Sequence, residues 1–318
     1  MQIRPIVLLK GSATFIPGVT RFACSGSGGT NSTRYCYSAW LRHLVRLHDA
    51  GIRTQFESVA ELGPGDSLGI GLAAMLTGAD RYFAFDAIPH ARTSSNVRTL
   101  ECLVGLFKAR QNIPGDDEFP EIWPPIPSQH FPGAVLDNGH LQQSMAPARL
   151  DAIRAAVALG VRDHVEVRYF APWNEASVVE TGSVDLVFSQ AVLEHVEDID
   201  ATYDALFQWL RPGGVMSHQI DFRSHSLTRD WFGHWTVPGW LWRIVKGRRP
   251  YLINRLPASK HLESMRRHGF DIVQQMPQTA VAAKRNELAS EFGDLTDDDL
   301  RTSALYVIAR KPLSASRT

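Results

Sequence analysis

The sequence has few cysteines and no long hydrophobic run. Its 318 residues include three cysteines, Cys24, Cys36 and Cys102, and none of them forms a Cys-x-x-Cys pair. We therefore expect neither a disulfide framework nor a structural zinc site, and we expect a reducing, cytoplasmic compartment. The apolar run Ile6 to Leu9 is too short for a signal-peptide core. No stretch approaches the roughly 18 apolar residues that a membrane span needs.

An excess of charge of either sign is also missing. The 33 Lys and Arg residues balance 33 Asp and Glu residues, so the formal net charge is zero. Without a global positive field, nucleic acid and anionic membranes are not expected as partners, and a small-molecule or saccharide acceptor is. The contents of 44% hydrophobic and 21% charged residues are ordinary for a packed globular protein.

Strand and helix patterns alternate along most of the chain. Amphipathic helical patterns separate short apolar runs of strand length, and such alternation is typical of βαβ units. It predicts an α/β fold with a Rossmann-like, seven-stranded, mostly parallel sheet and helices on both faces. The seven expected strands are 58–62, 81–85, 165–170, 184–189, 215–220, 272–275 and 304–309.

The domain organisation is predicted from where this rhythm starts and where it breaks. Residues 1–54 are expected to form an N-terminal extension and helix, and 55–318 the main domain. Two insertions interrupt that domain, a proline-rich one at about 111–145 and an aromatic, basic one at 223–257. The prolines between residues 113 and 132 prevent a regular element in that part of the first insertion. We interpret the second as a mobile cover over a substrate, with a membrane-contacting patch and plain core as the alternatives.

A glycine-rich turn carries the most specific chemistry. The sequence Glu61-Leu-Gly63-Pro-Gly65-Asp66 lies between a predicted strand and a predicted helix. Glycines there let the backbone approach a ligand, and a helix start offers free N–H groups. Asp86 ends the next strand, where its carboxylate can accept hydrogen bonds from two ribose hydroxyls. The order strand, turn, helix, strand and acid predicts a ligand that contains adenosine.

Four segments in order resemble class I S-adenosylmethionine-dependent methyltransferases. They are the turn at 61–65, the strand and loop at 184–196, the Leu-Arg-Pro-Gly-Gly turn at 210–214 and the last strand at 303–311. The resemblance implies S-adenosylmethionine as cofactor, with the glycine turn on its methionine part and ribose, Asp86 on the ribose hydroxyls and Gln190 near the sulfonium. The expected cofactor-binding residues are Glu61, Gly63, Gly65, Asp66, Asp86 and Gln190.

Two other classes of function compete with this interpretation. A nicotinamide oxidoreductase needs a third glycine three residues after Gly65, where this chain has Leu68, and Pro64 removes a backbone donor. A non-catalytic binding module on the same scaffold would not need the complete set of glycines and Asp86. The sequence therefore supports both alternatives less well than it supports the methyltransferase interpretation.

Histidines and acids after the fourth and fifth strands are the candidate catalytic residues. His218, Asp221 and His225 follow the fifth strand, and Glu194 with His195 follows the fourth. Parallel sheets bind ligands at the carboxyl ends of their strands, where these residues lie. We expect His218 to act as general base with Asp221 orienting it, and His195 to contribute less. The H-x-x-D-x-x-x-H spacing of His218, Asp221 and His225 also suits a metal site of two histidines and one carboxylate.

The expected reaction is methylation of a hydroxyl. Methyl transfer needs alignment of nucleophile and methyl group, and a hydroxyl also needs a base for its proton. The region after the fifth strand loosely resembles bacterial methyltransferases that accompany surface-glycan genes, which implies a sugar or small-molecule hydroxyl. N- and C-methylation remain alternatives. Because Ala191 stands where a metal-binding subgroup of the family has a glutamate, we expect no metal.

Overall fold

The structure is a computed structural model that describes residues 3–16, 29–120, 122–173, 175–249 and 251–313. Residues 24–33 are rich in glycine and serine, which predicts a loop, and the first five of them, 24–28, lie outside the described residues. In the described residues the strands are β1 Ser58–Leu62, β2 Arg81–Phe85, β3 Glu166–Phe170, β4 Val184–Gln190, β5 Leu210–Asp221, β6 Asp271–Thr279 and β7 Thr302–Arg310. The α-helices are α1 Pro5–Ala13, α2 Thr33–Asp49, α3 Gly69–Leu76, α4 Thr93–Lys108, α5 Asn138–Ser144, α6 Pro147–Leu159, α7 Ile199–Trp209, α8 Gly239–Lys246 and α9 Ala258–Arg267.

The strands form one seven-stranded sheet in the order β3-β2-β1-β4-β5-β7-β6. Strands β1 to β5 are parallel, and β7 runs antiparallel to both β5 and β6. The strand order reverses between β1 and β4, which is where doubly wound sheets bind ligands. Strand β6 is an edge, and Pro277 lies within it. The predicted α/β fold with a mostly parallel sheet is confirmed.

Helices cover both faces of the sheet, which explains the nearly continuous apolar strands. Strand β7 shows the pattern, since Leu305 and Val307 pack into the core formed with α7 and α9. The alternate residues Tyr306 and Ile308 pack into the core formed with α2, α3, α4 and α6. No helix among the described residues is long and apolar enough to cross a membrane.

The proline-rich insertion is held by arginines of α2. Arg42 Nη1 donates to the carbonyl oxygen of Pro124 at 2.7 Å, and Arg46 Nε donates to that of Pro125 at 2.6 Å. Helix α2 therefore supplies hydrogen bonds to a segment whose prolines cannot form their own ladder. The described part of 113–132 has no helix or strand, as predicted.

The aromatic insertion at 223–257 is packed into the molecule. Trp235 is fully buried, and its indole Nε1 donates to the Arg255 carbonyl at 2.8 Å. Helix α8 lies inside this insertion and packs against α1 through a small core that includes Val7 and Trp242. At Gly11 of α1, an added Cβ would lie 2.2 Å from the Ile244 carbonyl oxygen. This packing favours the core alternative over the expected mobile cover.

Candidate active site

The glycine turn after β1 has a conformation that only glycine adopts easily. Gly63 and Gly65 have φ values of +62° and +73°. The Gly63 N–H donates to the Phe85 carbonyl at 2.7 Å, which joins the ends of β1 and β2. A Cβ on Gly63 would lie 2.5 Å from Val192 Cγ2. The turn is therefore packed between β2 and the segment after β4, at the strand-order reversal.

Glu61 is buried beneath this turn and does not face solvent. Its carboxylate accepts hydrogen bonds from the Gly71 N–H of α3 at 3.1 Å and from the Tyr82 hydroxyl. Burial raises the pKa of Glu61 to about 8. The expected cofactor-binding residue Glu61 thus ties β1 to α3, and Gly63, Gly65 and Asp66 form the turn itself.

Asp86 lies at the end of β2, half-buried, beside the glycine turn. Its Oδ1 accepts from the Ala87 N–H at 2.9 Å, and its Oδ2 lies 3.5 Å from the Tyr169 hydroxyl. Burial raises the pKa of Asp86 above its ordinary value. Trp173, after β3, packs in a tilted orientation against the rings of Phe85 and Trp209.

Gln190 ends β4 and is fixed by two partners. Its Oε1 lies 3.2 Å from His43 Nε2, and its Nε2 donates to the Trp123 carbonyl at 2.8 Å. His43 Nδ1 in turn lies 2.7 Å from the Ser217 hydroxyl. Burial lowers the pKa of His43 to about 4, so this chain of hydrogen bonds is neutral at physiological pH. The chain holds the Gln190 amide in one orientation at the carboxyl edge of the sheet.

A group of acids and histidines lies beyond the ends of β4 and β5. Glu194 and His195 sit on one short turn, Leu193–His195, and Glu194 is 2% exposed. His225 Nε2 lies 3.8 Å from Glu194 Oε1 and 3.9 Å from Asp221 Oδ2. The His195 and His225 rings have centroids 5.1 Å apart. We call Glu194, His195, Asp221 and His225 the polar cluster.

The backbone around the polar cluster is unusual. His225 and Ser226 have φ values of +47° and +62°, which cost free energy in non-glycine residues. Asn254 Nδ2 donates to the carbonyl oxygens of Leu193 and Val196, both at 2.8 Å, and so clamps the turn that carries Glu194. These features aim His225 at the turn after β4.

Burial sets the charges of the polar cluster. It raises the pKa of Glu194 well above the ordinary value, and the nearby Asp221 adds to this rise. Burial lowers the pKa of His195 to about 4 and also lowers that of His225. At Asp221 burial acts to raise the pKa, but hydrogen bonds from Arg223 outweigh it and the net shift is downward. The imidazoles are therefore neutral at physiological pH and keep a free ring nitrogen, although a pKa of about 4 makes His195 a weak base.

His218 does not belong to this group. Its side chain is fully buried within β5, where Nδ1 lies 2.8 Å from the Ser189 hydroxyl. Burial lowers its pKa to about 3. A base must contact the acceptor, so the structure does not support His218 in that role, whereas Asp221 and His195 do lie together. His225, another of the candidate residues after β5, lies beside them.

A cleft of about 590 Å³ opens next to the glycine turn, on the side of α4. Its walls include Asp66, Ser67 and His90, and the exposed arginines Arg92 and Arg98. Neither guanidinium has a carboxylate partner among the described residues, unlike Arg34 or Arg154, which form ion pairs elsewhere on the surface. The cleft therefore carries local positive charge despite the neutral net charge of the chain.

Residues 40–275, well over half of the chain, match the family of methyltransferase domains. The chain belongs to this family. Membership confirms the enzyme class expected from the sequence, a methyltransferase with S-adenosylmethionine as its cofactor, and the nicotinamide and non-catalytic alternatives lose their support. The family match is to methyltransferase domains in general and does not show membership of the surface-glycan-associated subgroup.

Individual relatives match over shorter stretches or at low identity. The chain is 41% identical over 76 residues to the tRNA 5-carboxymethoxyuridine methyltransferase of Escherichia coli K12. This match covers 24% of the chain and 28% of the relative.

Two solved structures to which the chain is similar are methyltransferases. An S-adenosylmethionine-dependent methyltransferase of Mesorhizobium loti is 14% identical with a TM-score of 0.37, and the match covers 80% of this chain and 90% of that one. For the Haemonchus contortus phosphoethanolamine N-methyltransferase 2 in complex with S-adenosyl-L-methionine, the identity is 14%, the TM-score 0.41 and the coverages 88% and 57%. Values this low carry no argument about the acceptor.

The exclusion of nucleic acid as a partner is wrong. It rested on the zero net charge, and a curated relative that acts on tRNA overturns it. Net charge sums over the whole surface and reports nothing about local charge. The cleft with Arg92 and Arg98 is a local group of cations that the net charge does not reveal.

Proposed function

We propose that this methyltransferase transfers the methyl group of S-adenosylmethionine to an oxygen atom of a nucleic acid. The observation that carries the proposal is the polar cluster beyond β4 and β5, beside the glycine turn. An oxygen acceptor must lose a proton as its bond to carbon forms. The cluster offers neutral imidazoles for that proton, whereas an amine acceptor needs only to be unprotonated.

The transfer is an in-line displacement. The acceptor oxygen attacks the methyl carbon, the carbon–sulfur bond breaks, and the sulfonium becomes a neutral thioether. In the proposed arrangement the turn at Gly63 and Gly65 and the carboxylate of Asp86 hold the cofactor, and Gln190 lies at the same edge of the sheet. His195 or His225 takes up the proton. Alignment of the two reactants supplies the largest part of the acceleration.

Two observations support nucleic acid as the acceptor class. A relative at 41% identity over 76 residues is a tRNA methyltransferase. Independently, the cleft beside the glycine turn exposes Arg92 and Arg98 without acidic partners, and guanidinium groups bind phosphate well. A sugar or other small-molecule hydroxyl, expected from the sequence, has no comparable support and serves as the contrasting substrate.

The proposal is tested by methyl transfer from labelled S-adenosylmethionine to bulk tRNA from cells that lack this chain. Parallel reactions contain DNA of similar length or a mixture of sugars, phenols and amines. We expect acid-precipitable label in tRNA that ribonuclease releases, and fragmentation of the labelled nucleoside should place the methyl group on oxygen. Label confined to the small molecules contradicts the acceptor class, and label on nitrogen or carbon contradicts oxygen transfer.

Variants connect this activity to the polar cluster. His195→Ala removes an imidazole that faces the acceptor, so turnover should fall about 10²–10⁴-fold with nearly unchanged affinity for the demethylated cofactor. His218→Gln is the matched control, because His218 is buried inside the sheet. Equal losses in both variants, together with lower melting temperatures, would assign the histidines to folding.

A further inference from the structure

Glu194 is a buried carboxylate to which no side chain of the described residues donates a hydrogen bond. The residue is 2% exposed, and only backbone N–H groups, those of Glu194 and Asp221, act on its oxygens as donors. Other buried acids in the described part of the chain are satisfied: Glu61 by Tyr82 and Gly71, and Asp299 by Ser259 and Thr296. A buried ionised carboxylate left unpaired costs several kcal/mol or more, so native proteins pair it, protonate it or bind it to a metal.

Two imidazoles face this carboxylate from two directions. His195 follows Glu194 in the same turn, and its buried Nδ1 has no partner among the described residues. His225 arrives from the loop after β5, with Nε2 3.8 Å from Glu194 Oε1. One ligand atom from each of the three residues lies within 4.8 Å of the others. The positive φ values of His225 and Ser226 bring this histidine to the group at a conformational cost.

We propose that Glu194, His195 and His225 bind a divalent first-row transition metal ion. Two imidazoles and one carboxylate are a ligand set for zinc, iron or nickel, whereas magnesium prefers oxygen ligands. Ligands at about 2.1 Å from an ion lie roughly 3.4 Å apart, so the group must contract slightly as the ion binds. Three protein ligands leave at least one coordination position open.

The neighbours of the site fit an ion of charge +2. Asp221 lies 3.9 Å from His225 Nε2 and is hydrogen-bonded to Arg223, with Arg223 Nη2 2.6 Å from Asp221 Oδ2. Asp221 thus approaches the same His225 nitrogen as Glu194 does, so a second negative charge lies beside the position of the ion. The Arg223 guanidinium is hydrogen-bonded to Asp221, and among the described residues the basic side chain within ion-pair distance of Glu194 is His225.

The open position gives the ion a role that rests on the proposed function. An acceptor oxygen bound there would release its proton more readily at neutral pH, because a divalent ion stabilises the oxyanion. With an ion bound, His195 and His225 serve as ligands and the proton passes to solvent or to Asp221. Metal binding itself requires no acceptor and is measured without one.

The test uses the full chain, freed of metal by dialysis against a chelator. Calorimetric titration with Zn²⁺ and, separately, Mg²⁺ is followed by Co²⁺ titration, in which the visible spectrum reports nitrogen and oxygen ligation. We expect one equivalent of Zn²⁺ to bind and Mg²⁺ to bind far more weakly. Glu194→Gln and His225→Ala should each weaken Zn²⁺ binding at least about tenfold, in line with the loss of one ligand.

The matched control is His164→Ala, which removes an exposed histidine beside a carboxylate, Asp163, outside the cluster. It should bind Zn²⁺ like the unaltered chain. No stoichiometric binding by the folded chain, or unchanged binding in both folded cluster variants, overturns the proposal. If Zn²⁺ binds as expected but tRNA is not methylated, the metal site stands and the acceptor assignment falls.

Discussion

A substitution at Asp86 tests recognition of the cofactor's ribose separately from the rest of the proposed site. Its half-buried carboxylate stands at the end of β2 beside the glycine turn. Asp86→Ala removes a charged acceptor for two hydroxyls, so affinity for the demethylated cofactor should fall by about 1–3 kcal/mol. Calorimetry measures this loss. Asp66→Ala, in the same turn, is the comparison, and an equal effect of both variants would assign the loss to the turn as a whole.

Glu61 makes stability depend on pH. Its pKa is about 8 in the folded chain and 4.5 in the ordinary, unfolded environment. Between these values the folded state holds a proton that the unfolded state has released, so the free energy of unfolding falls as pH rises through this window. The fall is at most about 1.4 kcal/mol for each pH unit, and it ends above the folded pKa.

Glu61→Gln keeps the shape of the side chain and removes its titration. Urea unfolding at pH 5 and pH 8 should show a difference between the original chain and the variant that shrinks or reverses at pH 8. The buried histidines contribute equally to both proteins and cancel in this difference. A pH-independent difference would mean that Glu61 does not carry its proton in the folded state.

Among the elements, α1 depends on a glycine for its position. At Gly11 a Cβ would lie 2.2 Å from the Ile244 carbonyl oxygen of α8. Gly11→Ala must push the two helices apart, which we expect to cost about 1–3 kcal/mol. Hydrogen exchange should quicken in α8 and remain unchanged in α4. The matched control, Gly105→Ala in α4, has nothing within 4 Å and should stabilise the chain slightly.

The elements also show what the sequence predicts well and what it does not. Strands β1 and β2 have the predicted bounds, because buried parallel strands read as short apolar runs between turns. Helices α1 and α8 were not predicted, since their apolar residues make sense only when the two pack on each other. Their contact joins residues more than 200 positions apart, and no local pattern reports it.

The same limit applies to the candidate site. The glycine turn and Asp86 follow from a local motif of strand, turn and strand. His218 was misplaced because β5 is buried on both faces, so its polar residues do not mark an exposed side. His225 and Ser226 both have left-handed backbone angles. Histidine is found in this conformation more often than most residues, but serine is not, so the local sequence does not predict the pair.

At the scale of the whole molecule, local positive charge decides how nucleic acid binds. Arg92→Ala with Arg98→Ala should weaken tRNA binding and reduce the slope of log affinity against log salt concentration by about 0.7–0.9 for each lost phosphate contact. Fluorescence anisotropy over several salt concentrations measures both values. Arg53→Ala removes an arginine that precedes β1, at the amino ends of the parallel strands and away from the glycine turn. It should change neither the affinity nor the slope. Identical slopes in all variants would remove the cleft from the binding surface.

The position of Pro277 has a consequence for self-association. Strand β6 is an exposed edge with alternating exposed and half-buried residues, and such edges recruit strands from other molecules. A proline offers no N–H to an incoming strand and interrupts the row of donors. We therefore expect Pro277, which contributes nothing to the chemistry, to disfavour pairing of β6 with the edge strand of another molecule.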